Sequence, residues 1–183
     1  PEKIKITLYG SFKETYKGHG TDIALIGGLL GYNTSDKRIR TSLEDAKEAG
    51  IDFEFIESEV EHIHPNTAKL EVEAGRHSLD LIGKSIGGGK MVIFELLGFD
   101  VNLSGDFPSY FVFYKFSEKN KTHLLSEINN IFGDNKVSDN FSDSILEGVN
   151  LLVVEVLEEI STKQIERIAN LEYVTEVKFA DKL

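Results

Sequence analysis

Hydrophobic and polar residues alternate along the first segment of the chain, IKITLYGS (4–11), where Ile4, Ile6 and Leu8 are separated by polar side chains. A period of two residues is typical of a β-strand with one buried face. The same pattern, interrupted by glycine-containing turns, predicts further strands at residues 51–57, 64–74, 77–87 and 90–98.

Two segments of the first half have helical character. The apolar run IALIGGLLG (23–31) predicts a buried helix that Thr21 or Asp22 caps and Gly31 closes. Adjacent glycines inside a helix each cost about 1 kcal/mol relative to alanine, so we expect another segment to pack closely there. TSLEDAKEAG (41–50) predicts a second, shorter helix after a polar loop.

The second half has the order βαββαβ, which is the ferredoxin-like split unit, in about 75 residues. Its four strands would form an antiparallel sheet with the helices on one face, and the whole chain is therefore predicted to be α+β. A turn-rich segment at 101–108 marks the boundary, which gives domains at 1–105 and 106–183. The predicted elements of the second half are strand 109–116, helix 122–132, strands 136–144 and 150–158, helix 161–171 and strand 174–180.

Composition narrows the classes of protein to consider. The 183 residues are 40% hydrophobic and carry a formal net charge of −11, which argues against a nucleic-acid partner. Because the sequence has neither a signal peptide nor an apolar run of membrane-spanning length, we expect a soluble cytoplasmic protein that does not bind a membrane.

The sequence contains no cysteine. Disulfides and thiolate-held metals are therefore excluded for this chain, including an iron–sulfur cluster bound by its own cysteines.

His19 has the most suggestive local context of the five histidines. Gly18 and Gly20 permit positive φ angles that would expose the ring, and the predicted helix begins within two residues. A helix N-terminus attracts carboxylate or phosphate, and an imidazole beside it could act as a general acid or base. The alternative, a flexible turn that carries a solvent-exposed histidine, remains open from the spacing alone.

The remaining histidines carry less information. His62 and His64 would point to one face of a strand and could share a metal, but the lack of further ligands favours a surface pair. The turn at 65–67 has ordinary turn chemistry. His77 and His123 are predicted to be surface residues.

The segment GKSIGGGK (83–90) superficially resembles a phosphate-binding loop. A Walker A motif leads from a strand into a helix, whereas Lys90 is followed here by Met91 and a predicted strand. We therefore reject nucleotide binding and predict a tight turn between strands or a close backbone approach.

A family resemblance joins several of these segments. LYGSFKETYKGHGTDIALIGGLLGY, HPNTAKLEV, GKSIGGGKMVIFELLGF and LSG resemble the β chain of the iron–sulfur-dependent bacterial L-serine dehydratases, over residues 4–105. The resemblance implies an α/β sandwich similar to the allosteric substrate-binding domain of some 3-phosphoglycerate dehydrogenases. The remaining residues match the family's ACT domain, itself βαββαβ, by position and topology only.

The resemblance implies a reaction and a partner. In this family, L-serine loses water by β-elimination and becomes pyruvate and ammonia through an aminoacrylate. A separate α subunit supplies the cysteines that hold a [4Fe–4S] cluster, and an open iron site acts on the serine hydroxyl. The chain would then present groups to a cluster that it does not hold, which agrees with its lack of cysteine.

The resemblance also assigns roles to single residues. His19 would remove the α-proton or assist its removal, and Asp22 would orient that histidine or the substrate. Gly18, Gly20 and Thr21 are the expected substrate-binding positions. A base must come within about 3 Å of the proton that it takes, so we expect the segment to dock against the α subunit.

Two departures from the family pattern change the expectations. The family usually carries a Ser-Ser-Ser-His-Thr segment before the first strand, and this sequence starts after that point, so we expect the isolated chain to be inactive. Amino-acid-binding ACT domains generally have an Asp-x-Pro-Gly-type turn, where this chain has SEKNK (117–121). We therefore expect the second domain to be structural or to form a homodimer.

Two other functions stay open. One is a regulatory amino-acid-binding or anion-binding module without a catalytic role. The other is a purely structural dimerisation protein, which would be favoured if the first domain had no pocket.

Overall fold

The structure is a computed structural model that describes residues 1–60, 64–143 and 148–182. The alternation predicted for the first strand is present in it. Ile4, Ile6 and Leu8 are wholly buried, and the residues between them are not. The chain forms two compact units, residues 1–97 and 98–183. The sequence placed the boundary eight residues later, and the assignment of 1–105 and 106–183 to two family domains stays a prediction.

The described residues of the first unit form five strands and three α-helices. Its strands lie in the order β2-β1-β3-β4-β5, with β1 and β2 parallel and the other neighbours antiparallel. The elements are β1 (Lys3–Tyr9), α1 (Ser11–His19), α2 (Thr21–Leu29), α3 (Ser42–Glu48), β2 (Asp52–Glu57), β3 (Thr67–Ala74), β4 (His77–Gly87) and β5 (Lys90–Leu96), with a 3₁₀ turn at Lys37–Thr41.

The core of the first unit joins one face of this sheet to the three helices. Each helix contributes a buried residue, namely Tyr16 from α1, Ile26 from α2 and Ala46 from α3. The opposite face of the sheet is charged, since Lys69 forms ion pairs with Glu71 and Asp80. The helices therefore cover one face of the sheet. The core residues from the strands are Ile4, Ile6, Leu8, Ala68 and Leu70.

The predicted turn at 83–90 is confirmed as a hairpin between β4 and β5. Gly87 pairs with Lys90, and the two residues between them, Gly88 and Gly89, have φ angles of 63° and 77°. Positive φ at both central residues defines the type I′ turn that suits a two-residue hairpin. Because β5 follows as a strand, the rejection of a Walker A motif holds.

After a first strand at residues 99–103, the second unit has the predicted βαββαβ order. Its four-stranded sheet has the order β10-β7-β9-β8 with all neighbours antiparallel, which confirms the α+β class. The elements are β6 (Phe99–Leu103), β7 (Ser109–Lys115), α4 (Glu118–Phe132), β8 (Lys136–Ser142), β9 (Val149–Val156), α5 (Thr162–Ala169) and β10 (Val174–Ala180). Both helices pack on one face of this sheet, where Tyr110, Val112 and Tyr114 of β7 are buried.

Three local features differ from the expectations. Residues 11–19, where no element was predicted, form α1, because Phe12 and Tyr16 lie one helical turn apart and both pack against the core. β6 occupies part of the turn-rich segment, since Phe99, Val101 and Leu103 alternate with polar residues and are buried. Finally, α4 begins at Glu118, where the Ser117 hydroxyl caps it by accepting a hydrogen bond from the Asn120 amide (3.1 Å).

Candidate functional site

His19 is the last residue of α1, and its side chain is exposed. The helix is fixed from its other face by Tyr16, whose ring stacks on Phe55 with 5.5 Å between centroids. The Tyr16 hydroxyl lies 3.3 Å from Oε1 of Glu57, to which it donates a hydrogen bond. The buried side of α1 thus sets the position from which the imidazole projects into solvent.

Gly20 joins α1 directly to α2. Its φ of 70° and ψ of 23° are left-handed, its amide donates to the Tyr16 carbonyl, and its own carbonyl accepts from Ala24 (3.0 Å). A single residue therefore ends one helix and starts the next. The positive φ predicted for Gly20 is confirmed, but Gly18 lies within α1 and does not have one.

Thr21 and Asp22 are the first two residues of α2, and both are half-buried. Neither caps the helix as predicted, because the N-cap position belongs to Gly20 and no side chain bonds there. Asp22 Oδ1 instead accepts a hydrogen bond from the amide of Ile23 (2.9 Å). The corner formed by residues 18–22 consequently carries an exposed imidazole and a half-buried carboxylate on consecutive helices.

The glycine pair within α2 has one packing role. A Cβ on Gly27 would lie 3.3 Å from Cγ1 of Ile39 and 3.6 Å from Cβ of Ser42, whereas one on Gly28 would meet nothing within 4 Å. The predicted close approach is therefore correct for Gly27. It lets α2 pack tightly on the start of α3.

A polar cluster links the end of α2 to α3. The Tyr32 hydroxyl donates to Oδ2 of Asp45 (2.9 Å), and this hydrogen bond raises the pKa of Tyr32. The Arg38 guanidinium lies over the Tyr32 ring, 4.3 Å from its centroid. Arg38 also donates to both carboxylate oxygens of Asp36, and these hydrogen bonds lower the pKa of Asp36. The loop after α2 is thus held by charge-assisted contacts.

The turn at 64–67 is hydrogen-bonded to the start of α1. The amide of Phe12 donates to the Pro65 carbonyl (3.3 Å), and the hydroxyl of Thr67 donates to the His64 carbonyl (2.7 Å). His64 Nδ1 accepts from the amide of Asn66 (3.2 Å). His62 lies outside the described residues, so the predicted surface pair is not tested.

No metal centre emerges from the part of the chain that the structure describes. Within residues 1–60, 64–143 and 148–182, no three histidine, aspartate or glutamate side chains lie together as a ligand set. Among the described helices, none is long and apolar enough to cross a membrane.

The second unit has a surface cavity of about 400 Å³ between the start of α4 and the α5–β10 connection. His123 Nδ1 lies 2.8 Å from the Tyr173 hydroxyl at its wall, and burial raises the pKa of Tyr173. His77 and His123 are both exposed, as predicted. Sequence reasoning missed this cavity because its two walls are distant in the chain. Its lining residues are Lys119, Asn120, His123, Asn170, Leu171, Glu172 and Tyr173.

Comparison with known proteins agrees with the resemblance seen in the sequence. The family model for the serine dehydratase beta chain matches residues 1–95. A protein from Bacillus subtilis named "Probable L-serine dehydratase, beta chain" is 37% identical over 185 residues, which cover 99% of this chain and 82% of the relative. The "L-serine dehydratase, beta chain" of Peptoniphilus asaccharolyticus is 31% identical over 181 residues, 98% of this chain and 81% of that relative. The chain therefore belongs to the serine dehydratase beta chain family.

Proposed function

We propose that this chain assembles with a cysteine-containing α subunit into an enzyme that converts L-serine to pyruvate and ammonia. One observation carries the proposal. His19, the histidine of the family-like KGHGTD segment, is exposed on a helix corner that the protein core holds in place. The names of the two relatives support L-serine as the substrate.

We assign to His19 the role of the base that removes the α-proton of serine. A neutral imidazole accepts a proton near neutral pH, and a base placed in this way contributes about 10²- to 10⁴-fold to a rate. When the proton leaves Cα and the hydroxyl group leaves Cβ as water, the product is aminoacrylate. Its hydrolysis consumes one water and gives pyruvate and ammonia. Asp22 would orient His19 or the substrate, and Gly18, Gly20 and Thr21 would contact the substrate.

The partner subunit is needed for two reasons. His19 is exposed, so a substrate beside it would be in contact with water. General-base catalysis also needs the base within about 3 Å of the proton that it removes. The chain also lacks cysteine, so its residues do not fit a thiolate-ligated [4Fe–4S] cluster. We therefore place the family's cluster on the α subunit, and His19 would reach the substrate only after the two chains dock.

Anaerobic reconstitution of the chain with its α subunit, iron and sulfide tests this proposal through pyruvate formation from L-serine. We expect His19→Gln to lower kcat by about 10²- to 10⁴-fold while the subunits still assemble. His77→Gln is the matched control, since His77 is also exposed but lies at the start of β4. Full turnover by an assembled His19→Gln enzyme would disprove the catalytic assignment.

A second candidate function, regulatory binding of an amino acid or anion, is favoured by the cavity in the second unit. Lys119 and His123 can donate hydrogen bonds to a carboxylate there, and Glu172 can accept from an ammonium group. This use would overturn our expectation that the ACT-like domain is structural or forms a homodimer.

Titration calorimetry of the full chain with L-serine distinguishes the two uses of the second unit. Micromolar binding that Lys119→Ala weakens would support regulation through the cavity. Heat of binding that Lys119→Ala leaves unchanged, or no heat at all, would favour the structural role. Sedimentation of the chain alone would then report whether a homodimer forms.

A further inference from the structure

Ser42 is a wholly buried polar residue at the start of α3. A buried hydroxyl is unfavourable unless it is hydrogen-bonded, and this one lies 2.7 Å from the carbonyl oxygen of Ile23, to which it donates. Ile23 belongs to the first turn of α2. The hydrogen bond therefore ties the beginning of one helix to the beginning of another.

The packing around Ser42 leaves this contact little freedom. The absent Cβ of Gly27 would lie 3.6 Å from the Cβ of Ser42, so α2 rests directly on the serine. Ile39, in the preceding 3₁₀ turn, packs against the same point of α2. Its Cγ1 would lie 3.3 Å from a Cβ on Gly27. A close-packed interface of this kind resists small displacements of the helix.

The first turn of α2 needs an external restraint. It begins at the left-handed Gly20 and has no side-chain cap, and uncapped helix ends fray. Ile23 is the residue whose amide donates to Asp22 Oδ1 and whose carbonyl accepts from Ser42. Ser42 thus holds the residue that orients the Asp22 carboxylate.

We infer that Ser42 is a positioning residue for the corner formed by residues 18–22. It fixes Ile23 and, through Ile23, the orientation of Asp22 and the path of the chain back to His19. The inference rests on the proposed function of that corner. It adds a buried residue of α3 to the site, although Ser42 itself would not touch the substrate.

Tyr32, which follows the other end of α2, provides a matched comparison. Its hydroxyl donates to Asp45 Oδ2, so Tyr32→Phe also removes one hydrogen bond between the α2 segment and α3. The bond lies after the end of α2, away from Asp22 and His19. A general loosening of the helices would affect both variants, whereas loss of positioning would affect only Ser42→Ala.

The test compares Ser42→Ala and Tyr32→Phe in the full chain, reconstituted with its α subunit. We expect Ser42→Ala to lower kcat for L-serine by about tenfold with KM within about twofold, and Tyr32→Phe to keep kcat within about twofold. If Ser42→Ala does not fold, Ser42→Cys has similar size and a weaker donor and should act in the same direction. An unchanged kcat in the serine variant, or an equal loss in both variants, would overturn the inference.

A second measurement separates this inference from the proposed function. Hydrogen exchange of the Ala24 amide, which closes the first turn of α2 on Gly20, needs no turnover. We expect Ser42→Ala to speed this exchange by about tenfold and Tyr32→Phe to leave it unchanged. Absence of serine turnover in the wild-type assembly would refute the proposed function. Unchanged exchange in Ser42→Ala would refute the restraint.

Discussion

Gly10 and Gly18 flank the same short helix, but the structure requires glycine at only one of them. Gly10 has a φ of 53°, and a Cβ there would lie 2.6 Å from both the Cα and the carbonyl oxygen of Pro65. Gly18 is helical, and a Cβ there would meet nothing within 4 Å. The glycine before the helix is therefore fixed by packing and by backbone conformation together.

We predict that Gly10→Ala destabilises the protein by about 2–4 kcal/mol, because it places a side chain on a backbone with positive φ and creates a clash with the Pro65 turn. Gly18→Ala should stabilise it by about 0.5–1 kcal/mol, since alanine is the better helix former. Urea unfolding of both variants measures the difference. Equal midpoints for the two variants would contradict this account of Gly10.

At the scale of elements, the sequence predicted those segments whose hydrophobic period is regular. β4 and β10 were predicted with the bounds that the structure shows. α1 was missed because it buries little more than Phe12 and Tyr16 and contains glycine near its end. β6 was missed because turn-forming residues follow it closely. In both cases tertiary packing outweighed weak local preference.

The site was predictable only where it is contiguous. His19 and its neighbours lie within one short segment, where the spacing marked His19 as a candidate and the family resemblance added the neighbouring residues. Ser42 lies nineteen residues from Ile23, and no local sequence pattern predicts a hydrogen bond between them. Contacts of this type arise from helix packing, which a single sequence does not reveal.

The start of α5 gives a prediction at the element scale. Gln164 Oε1 accepts from the amide of Ser161 (3.0 Å), and Gln164 Nε2 donates to the carbonyl of Ile131 at the end of α4 (3.0 Å). The Ser161 hydroxyl also donates to Gln164 Oε1 (2.7 Å). Gln164→Ala removes these contacts and should cost about 1–2 kcal/mol in the free energy of unfolding. Thermal unfolding measures this loss.

Gln164→Glu is the control for that prediction. It keeps an acceptor for the Ser161 amide but loses the donor to Ile131, so its loss should fall between wild type and Gln164→Ala. A stability for Gln164→Ala equal to that of wild type would show that none of these contacts matters.

At the scale of the whole molecule, buried tyrosines make stability depend on alkaline pH. Burial raises the pKa of Tyr110 and Tyr114 in the core of the second unit. The folded chain then keeps these phenol protons to a higher pH than the unfolded chain, whose tyrosines titrate near about pH 10. Stability that is fully present below about pH 10 is consequently lost as the pH rises through the folded-state values.

We therefore predict that the urea midpoint falls between about pH 9 and about pH 11, and that Tyr114→Phe makes this fall shallower. Because the chain contains no tryptophan, urea unfolding followed by far-ultraviolet circular dichroism at several pH values gives both slopes. The same slope for Tyr114→Phe and wild type would show that this phenol does not contribute to the dependence.

The central claim is that His19 completes an active site whose other part belongs to the α subunit. Chemical rescue tests it most directly, because imidazole can occupy the space that His19→Ala leaves. We predict that the reconstituted His19→Ala enzyme forms pyruvate from L-serine about 10²- to 10⁴-fold more slowly than wild type, and that added imidazole raises its rate at least about tenfold. The reconstituted His77→Ala enzyme should keep the wild-type rate and not respond to imidazole. A His19→Ala enzyme that turns over at the wild-type rate without imidazole would contradict the claim.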